Sequence, residues 1–244
     1  MQPRIRKAKL APSCWRNMTT HPSILVLVPV YNEAAHILAV AKALKEAGFR
    51  DMLFINDGST DGTRALLEEH EIPALHHMIN RGQGAAIQTG FDYAKTGKWD
   101  AVVTMDGDEQ CDAGDISALA QPILDERADM VVGNRFRHQN HVPFRRRVYN
   151  FMGSVITWLL SGKFLLDTQS GMRAYSMKAV HTIEIEANGY EFCSDIIRQA
   201  GYAKLRIAEV PIRVYYTQAS MRKGQSFATG LNTVTKLILR SIMR

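Results

Sequence analysis

The chain has 244 residues, of which 46% are hydrophobic, and this suits one α/β domain with a sizeable core. Its three cysteines lie far apart without a Cys-x-x-Cys pair, so neither a disulfide framework nor a zinc site is indicated, and a reducing cytoplasmic setting is favoured. No apolar run approaches the roughly 20 residues that a membrane span needs, so we expect a protein that is soluble or lies on a membrane surface.

The formal net charge of +6 comes largely from the first 17 residues, which carry five basic residues and no acidic one. The rest of the chain is close to neutral, which argues against a nucleic-acid-binding protein. We predict a disordered basic arm over residues 1–20, unless residues 1–17 are upstream sequence before a true start at Met18; residues 1–17 lack the apolar core of a signal peptide. A second basic stretch, without acidic residues, lies between Asp129 and Asp167 and suits either a bound anion or a solvated face.

Strands and helices alternate along the first half of the chain. Continuous apolar runs such as ILVLVPV are typical of strands that are buried on both faces of a sheet. Predicted strands cover 24–30, 52–56, 74–79, 101–105 and 129–133. Predicted helices cover 34–47 and 116–127, and two more end near residues 70 and 96. The alternation indicates an α/β fold with a Rossmann-like, mostly parallel sheet flanked by helices, whose polar loops meet in one crevice.

The second half of the chain alternates less clearly. Apolar residues at helical spacing predict an amphipathic helix over 148–160, which suits either packing on the core or contact with a membrane surface. A late strand is predicted over 204–214. We predict one main domain over 21–226, followed by an amphipathic C-terminal helix over 227–244.

An acidic loop follows the fourth predicted strand. Its sequence, MDGDEQ, places Asp106 and Asp108 two residues apart, with Gln110 two residues further on. Oxygen ligands of this kind suit Mg²⁺ or Mn²⁺, which bind one or two carboxylates together with substrate phosphates. A calcium-binding EF-hand does not fit, because Cys111 stands where that loop needs glycine. An acidic helix N-terminus stabilised by the helix dipole is the structural alternative.

A glycine-rich turn, RGQGAA, occupies residues 81–86. It resembles half of a dinucleotide-binding fingerprint, but it follows the third predicted strand and lacks the third glycine. We therefore interpret it as a turn that lets the backbone approach a bound nucleotide, and not as a Rossmann cofactor site.

Six motifs in order carry a resemblance to a known family. They are VPVYNE (28–33), NDGSTDGT (56–63), NRGQGAA (80–86), MDGDEQ (105–110), GNRF (133–136) and DTQSGMRAY (167–175). The chain resembles the family 2 glycosyltransferases from about Ile24 to Ser226. Within that family it is similar to the dolichol-phosphate mannose synthase and polyprenyl-phosphate glycosyltransferase branch. Two departures are Asn56, where an aspartate is common, and Cys111 with Asp112, where His-Pro is usual.

This resemblance implies a GT-A fold and inverting transfer from a nucleotide-diphosphate sugar, GDP-mannose or UDP-hexose, with Mg²⁺ or Mn²⁺ as cofactor. The implied nucleotide-sugar contacts are Pro29, Tyr31, Glu33, Ile55, Asp57, Arg81, Asp106, Gly107 and Ser226. The implied metal ligands are Asp106, Asp108 and Gln110, and the implied catalytic residues are Asp108, Arg135, Arg147 and Arg222. The segment from Arg222 to Ser226 resembles one that closes on the diphosphate in this branch, with spacing that is one residue shorter.

The sequence does not determine which acceptor the sugar is transferred to. A polyprenyl phosphate is already ionised and needs no general base, whereas a sugar hydroxyl needs a carboxylate such as Glu191 or Asp195. Three hypotheses follow: a polyprenyl-phosphate glycosyltransferase, a transferase with a saccharide acceptor in cell-surface polysaccharide synthesis, and an inactive nucleotide-sugar-binding protein. For the first we expect a cytoplasmic protein that contacts the inner face of the membrane peripherally.

Overall fold

The protein is built around one sheet. The computed structural model describes residues 22–137, 154–155, 158, 165–186 and 192–215. The strands in these ranges are β1 (Ile24–Val30), β2 (Met52–Asn56), β3 (Ala74–His76), β4 (Ala101–Thr104), β5 (Met130–Asn134), β6 (Arg173–Tyr175) and β7 (Ile207–Pro211). Their order across the sheet is β3-β2-β1-β4-β6-β5-β7.

The sheet is mostly parallel, as the sequence predicts. Strand β1 pairs in parallel with both β2 and β4, while β2 pairs with β3 and β5 with β7. Strand β6 is antiparallel to its neighbours β4 and β5 and was not predicted. Because it runs in the opposite direction, β6 begins at the edge where the parallel strands end. The residues before β6 therefore reach the same edge as the acidic loop after β4.

Helices cover both faces of the sheet. They are α1 (Ile37–Glu46), α2 (Thr63–Glu69), α3 (Gln83–Ala94), α4 (Ile116–Leu124), α5 (Met177–Thr182) and α6 (Phe192–Tyr202). One apolar core contains residues of α1, α2 and α4, and the other contains residues of α3, α5 and α6. Side chains of β1 alternate between these two cores, with Val26 in the first and Leu27 in the second. Both faces of β1 are thus buried, which accounts for its unbroken apolar run.

The strands and helices that were predicted within the described residues are present, but several of their ends differ. Helix α1 begins three residues later than predicted, because the backbone N–H groups of His36 and Ile37 both bond to the carbonyl of Glu33 in a preceding turn. Strand β3 ends at His76 and not at residue 79, since β2, with which it pairs in the described part of the chain, ends at the opposing Asn56. The fourth predicted helix ends at Leu124, and the late strand is shorter than predicted.

Several predicted features lie outside the described residues. These are the basic arm over 1–20, the C-terminal helix over 227–244 and most of the helix over 148–160. Within the last of these, Ser154, Val155 and Trp158 are described and are helical. Among the helices that the structure describes, none has the length and apolar character needed to cross a membrane.

Gly90 of α3 packs closely against the sheet. A Cβ at this position would lie 2.8 Å from Cδ1 of the buried Leu27 and 3.3 Å from Cδ1 of Ile55. We expect Gly90→Ala to lower the free energy of unfolding by roughly 1–2 kcal/mol, because overpacking outweighs the gain in helix propensity. Urea unfolding measures this, with Gly62→Ala as control, since the nearest atom there is 3.8 Å away. Equal stability of the Gly90 variant and the wild type would contradict the close fit.

Candidate active site

The loops after β1 and β2 are joined at the carboxyl edge of the sheet. The backbone N–H of Asn32 donates to Oγ of Ser59 at 2.9 Å, and its side-chain oxygen accepts from the N–H of Thr60 at 2.8 Å. Glu33 is fixed in the same way, since its N–H donates to Oγ1 of Thr63 at 3.0 Å. The structure therefore brings the first two motifs together into one wall of a crevice.

The acidic loop after β4 lies at the same carboxyl edge of the sheet, since β1 and β4 are parallel neighbours. Oδ1 of Asp106 accepts a hydrogen bond from Nε2 of Gln83 at 2.8 Å. The Asp108 carboxylate accepts from the backbone N–H of Gln110 at 3.2 Å and also from its side-chain amide. Burial and, second to it, the negative charge of Asp108 together raise the pKa of Asp106 to about 6, against the hydrogen bond from Gln83, which lowers it. Two carboxylates are thus held close together where water solvates them poorly.

The turn before β6 packs directly against Asp106. The carbonyl of Gly171 accepts a hydrogen bond from Oγ1 of Thr104 at 3.0 Å, and a Cβ at Gly171 would overlap the Asp106 carboxylate. The fully buried guanidinium of Arg173 holds this turn, because it donates to the carbonyls of Ser170 and Thr168, each at 2.8 Å. No role for Gly171 or Arg173 was predicted from the sequence of this motif.

The predicted metal ligands fit a hard divalent cation in their chemistry. Among the described residues, no group of three or more His, Cys, Asp or Glu side chains could hold a metal ion. The predicted set is of another kind, with the carboxylates of Asp106 and Asp108 and the amide of Gln110. Such a set leaves positions for substrate phosphates, as is usual for Mg²⁺. The raised pKa of Asp106 supports the fit, since a cation would offset the charge repulsion that contributes to it.

Asp57 lies beneath the glycine-rich turn. Its buried carboxylate accepts hydrogen bonds from the backbone N–H groups of Arg81 at 2.9 Å and Gly82 at 2.7 Å. The same carboxylate contacts Nδ1 of His77 at 2.7 Å, while Nε2 of His77 lies 2.9 Å from Oγ1 of Thr89. Asp57 therefore fixes the turn that we expect to face the nucleotide. The contact between His77 and Asp57 was not predicted, because nothing in the local sequence links two residues that lie twenty positions apart.

Four other predicted nucleotide contacts lie on β1, on β2 and on the loops after β1 and β4. Pro29 in β1 lies opposite Ile55 in β2 in the register of the sheet. Tyr31, directly after β1, is 43% exposed, and Gly107 is buried close to the carbonyl of Pro29. Arg147, Arg222 and Ser226 lie outside the described residues, so their roles stay predictions.

Two of the predicted charged residues are engaged in ion pairs. The guanidinium of Arg135 donates two hydrogen bonds to the fully buried carboxylate of Asp167, at 2.7 and 2.8 Å. Asp195, a candidate base, is also buried and accepts from Nη2 of Arg198 at 2.5 Å and from Nε2 of Gln199 at 2.9 Å. Arg135 and Asp195 thus each have a charged partner in the fold, and a catalytic role for either group would involve that partner.

Comparison with known proteins identifies the family. A family model described as Glycosyl transferase family 2 matches residues 25–183. The chain belongs to glycosyl transferase family 2. This family 2 chain is 32% identical to a UDP-N-acetylglucosamine–dolichyl-phosphate N-acetylglucosaminyltransferase of Methanococcus voltae, over 88% of this chain and 95% of the relative. It is 30% identical to a polyprenol monophosphomannose synthase of Mycolicibacterium smegmatis, over 77% of this chain and 76% of that one.

The fold of this family 2 chain is also found in solved structures. The chain matches glucosyl-3-phosphoglycerate synthase from Mycobacterium tuberculosis with a TM-score of 0.67, at 18% identity, over 90% of this chain and 78% of the other. That structure was solved with Mn²⁺, uridine diphosphate and phosphoglyceric acid. The likeness confirms the predicted GT-A fold.

Proposed function

We propose that this family 2 glycosyltransferase moves a hexosyl group, with inversion, from a nucleotide-diphosphate sugar to a polyprenyl phosphate. The observation that carries the proposal is the pair Asp106 and Asp108 at the carboxyl edge of the sheet, where ligands of doubly wound folds bind. The names of two relatives support a polyprenyl phosphate as the acceptor. The name of the Methanococcus voltae relative includes dolichyl phosphate, and that of the Mycolicibacterium smegmatis relative includes polyprenol.

Asp106, Asp108 and Gln110 would hold Mg²⁺ or Mn²⁺ in this proposal. The cation would supply positive charge for the diphosphate that accumulates negative charge as the sugar leaves. Asp57 keeps the turn at Arg81 and Gly82 in place by accepting both N–H groups, which presents that turn to the nucleotide. Arg135 and, outside the described residues, Arg147, Arg222 and Ser226 are proposed to meet phosphate oxygens of the donor or the acceptor.

The chemistry of the acceptor favours a phosphate over a sugar hydroxyl. A hydroxyl must lose a proton to a base as it attacks, whereas a phosphate oxygen is already ionised. Of the two candidate bases, Glu191 lies outside the described residues, and Asp195 is buried and accepts hydrogen bonds from Arg198 and Gln199. A lipid acceptor also requires that the protein reach a membrane surface, and we propose that the protein contacts this surface peripherally.

Transfer of label from donor to lipid tests this function. The purified chain is incubated with Mn²⁺, a polyprenyl phosphate and radiolabelled UDP-N-acetylglucosamine, UDP-glucose or GDP-mannose in turn, and the organic phase is counted. We expect label in the organic phase with one donor, and none when the polyprenyl phosphate is replaced by the free polyprenol. Label that appears only in a water-soluble saccharide would favour the saccharide acceptor. Donor binding without any transfer would favour an inactive nucleotide-sugar-binding protein.

A further inference from the structure

A short segment after β7 lies against the acidic side of the crevice. The guanidinium of Arg213 donates to Oδ1 of Asp115 through Nε at 3.0 Å and through Nη2 at 2.8 Å. Its third nitrogen, Nη1, lies 3.1 Å from Oδ2 of Asp112. The backbone N–H of Arg213 also donates to Asp115, at 2.6 Å. One arginine thus bridges the carboxylate of Asp112, just before the short helical turn Ala113–Asp115, and that of Asp115, the last residue of this turn.

The same segment contacts the acidic loop after β4. Because this loop carries the proposed ligands Asp106, Asp108 and Gln110, we call it the metal-binding loop. The backbone N–H of Tyr215 donates to the carbonyl of Gln110 at 2.9 Å, and Val214 forms an isolated antiparallel bridge with Cys111. The phenolic OH of Tyr215 donates to Oδ2 of Asp112 at 3.1 Å. Gln110 is therefore held at two places: its backbone carbonyl accepts from Tyr215, and its backbone N–H and side-chain amide contact Asp108.

We propose that Arg213 and Tyr215 are positioning residues for the metal-binding loop, which we call the Arg213 brace. The inference rests on the proposed function, since it assumes that Asp106, Asp108 and Gln110 bind a divalent cation. The brace acts through Asp112 and Asp115 and holds the loop in the conformation that binds the cation.

The physical reason is the charge of the loop. Carboxylates that lie close together in sequence repel one another, and without a partner the loop would spread into several conformations. A planar guanidinium that binds one carboxylate through two nitrogens fixes direction as well as distance. Residues that orient metal ligands from outside typically change metal affinity by about 10- to 100-fold when they are replaced.

The chain provides a matched control for this brace. Arg206, at the other end of β7, makes the same kind of pair with Asp129, with Nε and Nη2 each 3.1 Å from a carboxylate oxygen. Its backbone N–H donates to Asp129 at 2.8 Å, as that of Arg213 does to Asp115. Because Asp129 precedes β5, this second pair lies at the amino edge of the parallel strands, away from the acidic loop.

The test compares Arg213→Gln with Arg206→Gln in the full chain. Mn²⁺ affinity is measured by electron paramagnetic resonance in the presence of uridine diphosphate and, separately, guanosine diphosphate. Hydrogen exchange of the 107–114 amides is followed without metal. We expect about tenfold weaker Mn²⁺ affinity and faster loop exchange for Arg213→Gln. For Arg206→Gln we expect Mn²⁺ affinity within twofold of the wild type, and Arg213→Lys should recover part of the loss.

The possible results distinguish failure of the Arg213 brace from failure of the proposed function. Wild-type affinity and exchange in Arg213→Gln, or an equal loss of affinity in Arg206→Gln, would overturn the brace while leaving the proposed function intact. A wild-type chain that binds no Mn²⁺ with either nucleotide would overturn the proposed function and the brace together. If Arg213→Gln fails to fold, Tyr215→Phe decides in its place, because it removes only the bond to Asp112. We expect a two- to threefold loss of affinity for that variant, and no loss would overturn the brace.

Discussion

Asp108→Asn should reduce sugar transfer to the lipid acceptor by roughly a thousandfold, because it removes one of the two charged ligands that would hold the cation at the leaving diphosphate. Asparagine has nearly the same shape as aspartate, so the loop can keep its hydrogen bond from the N–H of Gln110. The initial rate of label entering the organic phase measures the effect, at saturating donor and with Mn²⁺ varied.

The matched control for this prediction is Asp125→Asn. Asp125 lies just after α4 and pairs with the exposed Arg127 at 2.7 Å, in a region with no predicted site residue. We expect its transfer rate to stay within twofold of the wild type. If Asp108→Asn kept more than a tenth of the wild-type rate, Asp108 would not be a metal ligand in the transfer reaction.

The strands that were predicted best are those buried on both faces. In β1 every side chain is buried, with alternate residues in the two cores, and this produces an apolar run that can be seen without knowledge of the fold. Strand β6 left no comparable signal. It has three residues, and one of them is Arg173, whose buried charge is satisfied by carbonyls that only the folded chain brings to it.

The site was predictable where its chemistry is local in sequence. Asp106 and Asp108 lie two residues apart after a strand, and the rule for parallel sheets places that loop at the crevice. Long-range contacts were not predictable in this way. Arg135 pairs with Asp167 across 32 positions, and Arg213 pairs with Asp115 across 98. Whether an arginine faces a phosphate or a buried carboxylate depends on such contacts, and residue type alone does not decide it.

Asp106→Asn should stabilise the metal-free protein while it abolishes cation binding. Burial and the charge of Asp108 raise the pKa of Asp106 from its usual 3.8 to about 6, so the folded state binds this proton more tightly than the unfolded state. The free energy of unfolding therefore falls as the pH rises from about 4 to about 6, and ionised Asp106 costs on the order of 2–3 kcal/mol above that range. Asparagine avoids this cost and can still accept the hydrogen bond from Gln83.

Urea unfolding in EDTA, at pH values from 4 to 7.5, measures this effect. We expect Asp106→Asn to unfold at higher urea than the wild type at pH 7.5, and the difference to disappear near pH 4. Asp125→Asn should shift stability in the opposite direction, because the hydrogen bond from Arg127 lowers the pKa of Asp125 and so favours its charged form in the folded state. With Mn²⁺ and nucleotide, ligand binding should stabilise the wild type but not Asp106→Asn. An Asp106→Asn protein that is less stable than the wild type in EDTA at pH 7.5 would mean that this carboxylate serves the fold and not the cation.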